Sequence, residues 1–259
     1  NWVSATMANV IVTTSQDYAD NSRFLKRYVK KIWPISPPVY LEMVEPDFIE
    51  QVREKYQIKP GEKIIGMVAR LAAEKGVEYL VRALPQVLEK FPQARVLYAG
   101  QYQNVMGEEA YYNRLMPMIA ELGPEHWEFL GMLNQAQMPA FYAACDVLVV
   151  PSLNSTESFG LVQVEAMLCG TPSIASNLPG VRQPPKMTGM GEVTPIGDSE
   201  ALAESIIRII QRPKDYARPR VAIQDTFSLD RTVSGYEALF EELLADQAPE
   251  SQPAEAQEA

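Results

Sequence analysis

The chain has 259 residues, 47% hydrophobic and 22% charged, an ordinary globular composition that excludes a disordered or fibrous protein; at roughly 150 residues per domain it holds about 1.7 domains. A formal charge of −10, from 23 basic and 33 acidic residues, argues against DNA or RNA as partners, because such binding rests on neutralising phosphates, so any anion must be met by a local site. No apolar run reaches the roughly 20 residues of a membrane span, and the only two cysteines, Cys145 and Cys169, lack metal-site spacing, which points to packed thiols in a reducing, cytoplasmic compartment.

In chain order, the sequence opens Asn1-Trp2-Val3 without an initiator Met, as the interior of a longer chain would. Arg23, Lys26, Arg27, Lys30 and Lys31 fall at helical spacing and make one basic stripe, read either as a solvated face or as a face drawn to anionic lipid. Pro34, Pro37, Pro38 and Pro46 make residues 32–46 an extended connector, so residues 1–33 are expected to belong to something other than the main domain. Next come β-rich runs at 63–69, 95–100, 128–131, 146–151, 173–176 and 191–194. Between the first two, Val77, Leu80, Val81, Leu84, Leu88 and Phe91 keep helical spacing, with a kink expected at Pro85. Strands alternating with amphipathic helices predict a doubly wound α/β domain with a parallel sheet covered on both faces. The continuous apolar run Val147-Leu148-Val149-Val150 fits a strand buried on both sides. A terminal amphipathic helix is predicted at 232–245, and the acidic residues 246–259 are expected to be disordered.

Ligands of such sheets sit at the carboxyl ends of the strands, so the loops there are where chemistry is sought. The first strand runs into Arg70 and, after Glu74, Lys75-Gly76, two cations around a helix start that together suit a diphosphate; a pair of surface cations is the other reading. Neither a phosphate loop ending in Gly-Lys-Ser/Thr nor a Gly-x-Gly-x-x-Gly follows a strand. After residues 146–151 a small-polar loop carries Glu157-Ser158-Phe159-Gly160-Leu161 and a helix carrying Glu165 and stopping at Gly170. A phosphate at that helix start would meet the N–H groups near Gly160 and Leu161, with no Gly160 side chain in the way. Carboxylates on either side can accept hydroxyl hydrogen bonds.

The segment Glu157-Ser158-Phe159-Gly160-Leu161-Val162-Gln163-Val164-Glu165-Ala166-Met167 closely resembles the E-x7-E signature of family 4 retaining glycosyltransferases of the GT-B fold. Gly66-Met67-Val68-Ala69-Arg70-Leu71 with Glu74-Lys75-Gly76 resembles that family's donor-phosphate segment, with Ala69 where Gly is usual, and Phe129-Leu130-Gly131-Met132-Leu133 resembles its base-holding loop. Phe141-Tyr142-Ala143-Ala144-Cys145-Asp146-Val147 continues the pattern. The resemblance implies a Rossmann-like donor domain in which Arg70 and Lys75 bind the diphosphate of a UDP- or GDP-hexose and Met132 and Leu133 contact the base. It further implies that Glu157 holds donor-sugar hydroxyls, that Ser158, Phe159, Gly160 and Leu161 contact sugar and phosphate, and that Glu165 binds ribose hydroxyls. Arg70, Lys75 and Glu157 would form the catalytic set. Transfer would retain the anomeric configuration without a metal or other cofactor, because fixed donors neutralise the departing diphosphate, and the two glutamates would not act as the acid and nucleophile of a glycosidase.

By the same resemblance, residues 1–45 are the remnant of an acceptor-side N-terminal domain plus linker, with 10–15 its last strand and loop and the basic segment its final helix. Residues 46–225 would be the donor domain, and 226–245 a helix crossing back toward the missing N-terminal domain. The family's active-site His has no counterpart, and His126, the only histidine, is read as structural. The acceptor would be a glycan or a lipid-linked molecule, with peripheral contact at the inner face of the membrane open. The chain is thus expected to be mainly the donor-binding half of the enzyme and inactive alone. Two other readings fit the same residues: a non-catalytic nucleotide-sugar-binding module, and an epimerase or phosphorylase on this fold.

Overall fold

The computed structural model describes residues 2–42 and 45–245; the tail expected to be disordered, 246–259, lies outside them. The N-terminal part contains α1 (Trp2–Met7), β1 (Ile11–Thr13), α2 (Gln16–Asn21), a 3-10 segment (Leu25–Lys31) and β2 (Ile32–Pro34). β1 and β2 pair in parallel with Ile11 opposite Ile32, so the proline-rich stretch expected to be a connector begins as a strand. The basic stripe is not one helical face either. Its segment is a 3-10 turn broken at Tyr28 (φ −116°, ψ 21°), and its cations point in different directions. Lys31 Nζ turns inward and donates to the Thr6 and Ala8 carbonyls at 2.8 Å, at the end of α1, where a cation meets the negative end of the helix dipole. The Arg27 guanidinium sits over the Trp2 ring, 4.8 Å from its centroid.

The main domain follows as α3 (Pro46–Lys55), β3 (Lys63–Val68), a 3-10 turn (Ala73–Lys75), α4 (Val77–Lys90), β4 (Ala94–Ala99), α5 (Glu109–Glu121) and β5 (Trp127–Gly131). It continues through α6 (Met138–Ala144), β6 (Val147–Val150), α7 (Leu161–Leu168), β7 (Ser173–Ser176), α8 (Gln183–Thr188), β8 (Gly191–Thr194) and α9 (Ser199–Gln211). Three helices close the described chain: α10 (Pro213–Tyr216), α11 (Arg220–Thr226) and α12 (Leu229–Ala245). The six predicted strands are all present, within a residue or so at each end, in the order β5-β4-β3-β6-β7-β8 with every neighbouring pair parallel.

Alternate residues of the central strands β3, β4 and β6 feed two cores. Ile65, Val96, Tyr98, Val147 and Val149 pack under α4, α5 and α9, while Ile64, Leu97, Leu148 and Val150 pack under α3, α6 and α7. Burial on both faces is why β6 reads as an unbroken apolar run. In α4 the buried residues Val77, Leu80, Val81, Leu84 and Val87 lie on one side, and the helix continues through Pro85 without interruption. Pro85 removes the N–H toward the Val81 carbonyl and crowds that carbonyl, and the apolar face on either side is anchored in the core.

α12 starts at Leu229, three residues earlier than expected, and Leu239 is its only buried residue. It is tied down where Thr232 Oγ1 donates to the Ser36 carbonyl at 2.9 Å, whereas Val233, Tyr236, Phe240 and Leu244 remain exposed. His126 lies with Nδ1 2.9 Å from the Ala94 carbonyl, a backbone tie ahead of β5. Burial pushes both thiols up, Cys169 to about 12 and Cys145 well above its ordinary value, so neither is a reactive thiolate near neutral pH.

Candidate active site

Chain progression along the sheet reverses between β3 and β6: β4 and β5 lie to one side, β7 and β8 to the other. At such a switch point the loops leaving the two central strands diverge and open a crevice at their carboxyl ends. A cleft of about 690 Å³ lies there, walled by the β3 exit through Arg70 and Lys75, by Gly100 and Gln101 after β4, and by Met132 after β5. Its far wall runs from Val149 to Ser152 and from Glu157 to Val162, with Thr14 and Pro37 reaching in from the N-terminal part. Two cations and one carboxylate line it, the opposite balance to a chain carrying −10 overall.

Most predicted site residues thus meet at one place: Arg70, Lys75, Met132, Glu157, Ser158, Phe159, Gly160 and Leu161 all line the cleft. Leu133 instead packs against the core beneath α6. Glu165 lies one turn farther along α7 from Leu161, on the same helical face, just past the cleft lining. Phe159 contributes backbone only, because its ring is buried edge-on to Phe227 at 5.9 Å.

The two cations are already partnered. Lys75 Nζ donates to Glu157 Oε2 at 2.6 Å, with both side chains roughly four-fifths buried, and Arg70 pairs with Glu74. The first pair spans the switch point, joining the β3 loop to the β6 loop. Glu165 Oε2 accepts a hydrogen bond from the Tyr142 hydroxyl at 2.5 Å.

Gly160 is the N-cap of α7 with φ 79°, and no side chain caps the first turn; the Gln163 N–H donates to the Gly160 carbonyl at 3.0 Å, whereas the Leu161 and Val162 N–H groups, which have no acceptor within the helix, open the helix at the cleft. The protein around Gly160 also requires a glycine there, independently of the expected clearance over a ligand. A Cβ there would come within 2.5 Å of Gln163 Nε2, and Gln163 is fully buried, donating to the Val181 carbonyl at 2.9 Å and accepting from Ser173 Oγ at 3.0 Å.

Sequence reasoning missed the residues that tie the N-terminal part to this loop. Thr14 Oγ1 donates to the Ser158 carbonyl at 3.2 Å. Asp17 accepts from the Gly180 N–H and from Arg182 Nε, both at 2.9 Å, and from Arg182 Nη2 at 2.5 Å. Gly180 (φ 82°) presses so closely on the signature loop that a Cβ would fall 2.1 Å from the Ser158 carbonyl oxygen. Burial raises the Asp17 carboxyl, but donors from Arg182, Gly180 and Gln183 outweigh it and hold the group at about 2. The partners lie more than 140 residues apart in sequence, so no local pattern marks them.

Fold and cleft together define a doubly wound α/β domain with a crevice at its switch point lined by two cations and the start of a helix. The chain belongs to the family described as Glycosyl transferases group 1, which matches residues 48–225. It is 36% identical over 132 residues to an uncharacterized glycosyltransferase of Methanocaldococcus jannaschii, covering 51% of this chain and 31% of that protein. It is 34% identical over 137 residues to the phosphatidyl-myo-inositol mannosyltransferase of Mycobacterium leprae, covering 53% and 34% respectively. Among solved structures, Anabaena HepE in complex with UDP superposes with a TM-score of 0.78 at 25% identity, covering 94% of this chain and 65% of HepE; HepE is also known in complex with UDP-glucose. The match to each of these two relatives therefore spans about a third of that protein's length, and the architecture is that of the GT-B glycosyltransferases. Among the described residues no helix is long and apolar enough to cross a membrane.

Proposed function

We propose that the cleft binds a nucleoside diphosphate sugar and that the chain is the donor-binding half of a family 4 retaining glycosyltransferase. The observation that carries this reading is the convergence of Arg70, Lys75, Glu157 and the uncapped start of α7 on one cleft at the switch point. In the proposal Arg70, Lys75 and the leading N–H groups of α7 receive the diphosphate, lowering the barrier as negative charge builds on the leaving group. They supply that positive charge without a metal. Glu157 and Glu165 are the two carboxylates of the E-x7-E signature: Glu157 accepts from hexose hydroxyls and Glu165 from the ribose. Met132 lies against the base with Leu133 beneath it, and the backbone of Ser158–Leu161 contacts sugar and phosphate. The leaving phosphate assists deprotonation of an acceptor hydroxyl on the same face of the sugar. The acceptor, a glycan or lipid-linked molecule, approaches from the side of Thr14 and Pro37, and the N-terminal acceptor-side domain completes the enzyme at the cytoplasmic face of the membrane.

Because Lys75 is bonded to Glu157, donor binding redistributes that pair in this proposal: the diphosphate draws Lys75 while the sugar hydroxyls take up Glu157. The test is calorimetric titration of UDP, GDP and their hexose conjugates into wild type, Arg70→Ala, Glu157→Ala and Glu165→Ala. Arg70→Ala and Glu165→Ala are expected to weaken free and sugar-bearing nucleotide alike, and Glu157→Ala to weaken the sugar-bearing one selectively. Equal losses for both ligands at Glu157 would remove its assignment to the sugar.

A further inference from the structure

Tyr142 lies on α6 with its side chain fully buried, and its ring packs edge-on to Phe141 at 5.5 Å. Its backbone is fixed too, since its carbonyl accepts from Thr171 Oγ1 at 2.6 Å. The hydroxyl has one partner among the described residues, Glu165 Oε2 at 2.5 Å. A neutral phenol against a carboxylate is a short, charge-assisted bond. Burial, then the charge of Glu165, pushes the phenol far above its ordinary range, so it remains a donor throughout the physiological range. Glu165 has three side-chain torsions and is only partly buried; without a fixed partner it would sample several rotamers at an entropic cost to any ligand.

One phenolic donor uses one lone pair of Oε2 and leaves the other oxygen with its acceptor capacity intact. Glu165 is four residues past Leu161, a cleft-lining residue, and shares its helical face. From these contacts we infer that Tyr142 is a positioning residue: it holds Glu165 from beneath so that the free oxygen is presented to vicinal hydroxyls, and it thereby sets the preference of the site for ribo- over deoxyribonucleoside diphosphates. The inference rests on the assignment of Glu165 to the ribose. Such a role differs from merely filling the core, because a core tyrosine would affect every ligand alike.

The experiment titrates this chain with whichever of UDP or GDP binds more tightly and with its 2′,3′-dideoxy counterpart, in wild type, Tyr142→Phe, Glu165→Gln and the double variant. Thermal melts accompany each variant, and the phenylalanine keeps the buried ring. Tyr142→Phe is expected to weaken the ribonucleotide by about 3- to 10-fold, the loss of roughly one hydrogen bond's worth of organisation, while leaving the dideoxy affinity within about twofold. The double variant is expected to lose no more than Glu165→Gln alone, since the tyrosine acts through the glutamate. Equal weakening of both ligands by Tyr142→Phe, or no change in either, overturns the positioning role. If Glu165→Gln also leaves the ribo-to-dideoxy ratio unchanged, the ribose assignment itself fails, and the inference with it.

Discussion

Lys75 and Glu157 belong to loops 82 residues apart in sequence yet meet at 2.6 Å, and this pairing sets the residue-scale expectations. On the proposed role of Lys75, Lys75→Ala would remove a charge-assisted donor to the diphosphate and is expected to weaken UDP by about 10-fold or more. Glu157→Gln releases Lys75 from a competing carboxylate. UDP is then expected to bind about two- to five-fold more tightly, while the ratio of UDP-sugar to UDP affinity falls. Titration of both ligands reads the two effects, and an unchanged ratio would contradict the proposed roles. At Gly160 the constraint is both conformational and steric, because φ 79° disfavours any side chain and Gln163 Nε2 would lie 2.5 Å from an added Cβ. Gly160→Ala should therefore cost about 1–3 kcal/mol, seen as a lowered midpoint in a thermal melt. A midpoint equal to wild type would mean that the α7 cap relaxes without strain.

Between elements, the decisive contact is the one from α2 to the loop after β7. Asp17 is held at about 2, below its ordinary 3.8, so the folded state binds fewer protons there than the unfolded chain. Its contribution is complete above about pH 4 and disappears as pH falls toward about 2. Asp17→Asn is expected to be destabilised relative to wild type by about 1–2 kcal/mol at pH 6, with the gap between the two melting curves narrowing by pH 3. A gap that stays constant would remove the carboxylate from that account. α12 is held differently, through Leu239 as its only buried residue and one side-chain tie to Ser36. α9, in contrast, buries Leu202, Ile206, Ile209 and Ile210. Hydrogen exchange should therefore open α12 at far lower free energy than α9, and equal protection of the two would show that α12 is covered.

At the scale of the whole molecule, stability comes from the sheet being buried twice. Leu148 on β6 is fully buried among residues of the α3, α6 and α7 layer, and Leu148→Ala should cost about 2–5 kcal/mol, measured as a lowered denaturant midpoint at constant slope. Much of this architecture is legible from the sequence because burial leaves a local imprint: Val147–Val150 is continuously apolar since helices cover both sides, and Val77, Leu80, Val81 and Leu84 keep a helical period since one face enters the core. The site loops are legible for a related reason, as Arg70, Lys75 and Glu157 all lie in the segments that leave β3 and β6, whose carboxyl ends face the crevice. The basic stripe misleads because charge spacing says nothing about which carbonyls lie nearby, and Lys31 is drawn to the end of α1. The six strands of the main sheet, their parallel arrangement and the charged loops between them could be read from residue order alone, because each follows from periodicity within one segment. That Lys75 meets Glu157, Tyr142 meets Glu165 and Asp17 meets Arg182 emerges only from the folded chain, because those pairings depend on which elements become neighbours, and strand order is a property of the whole chain.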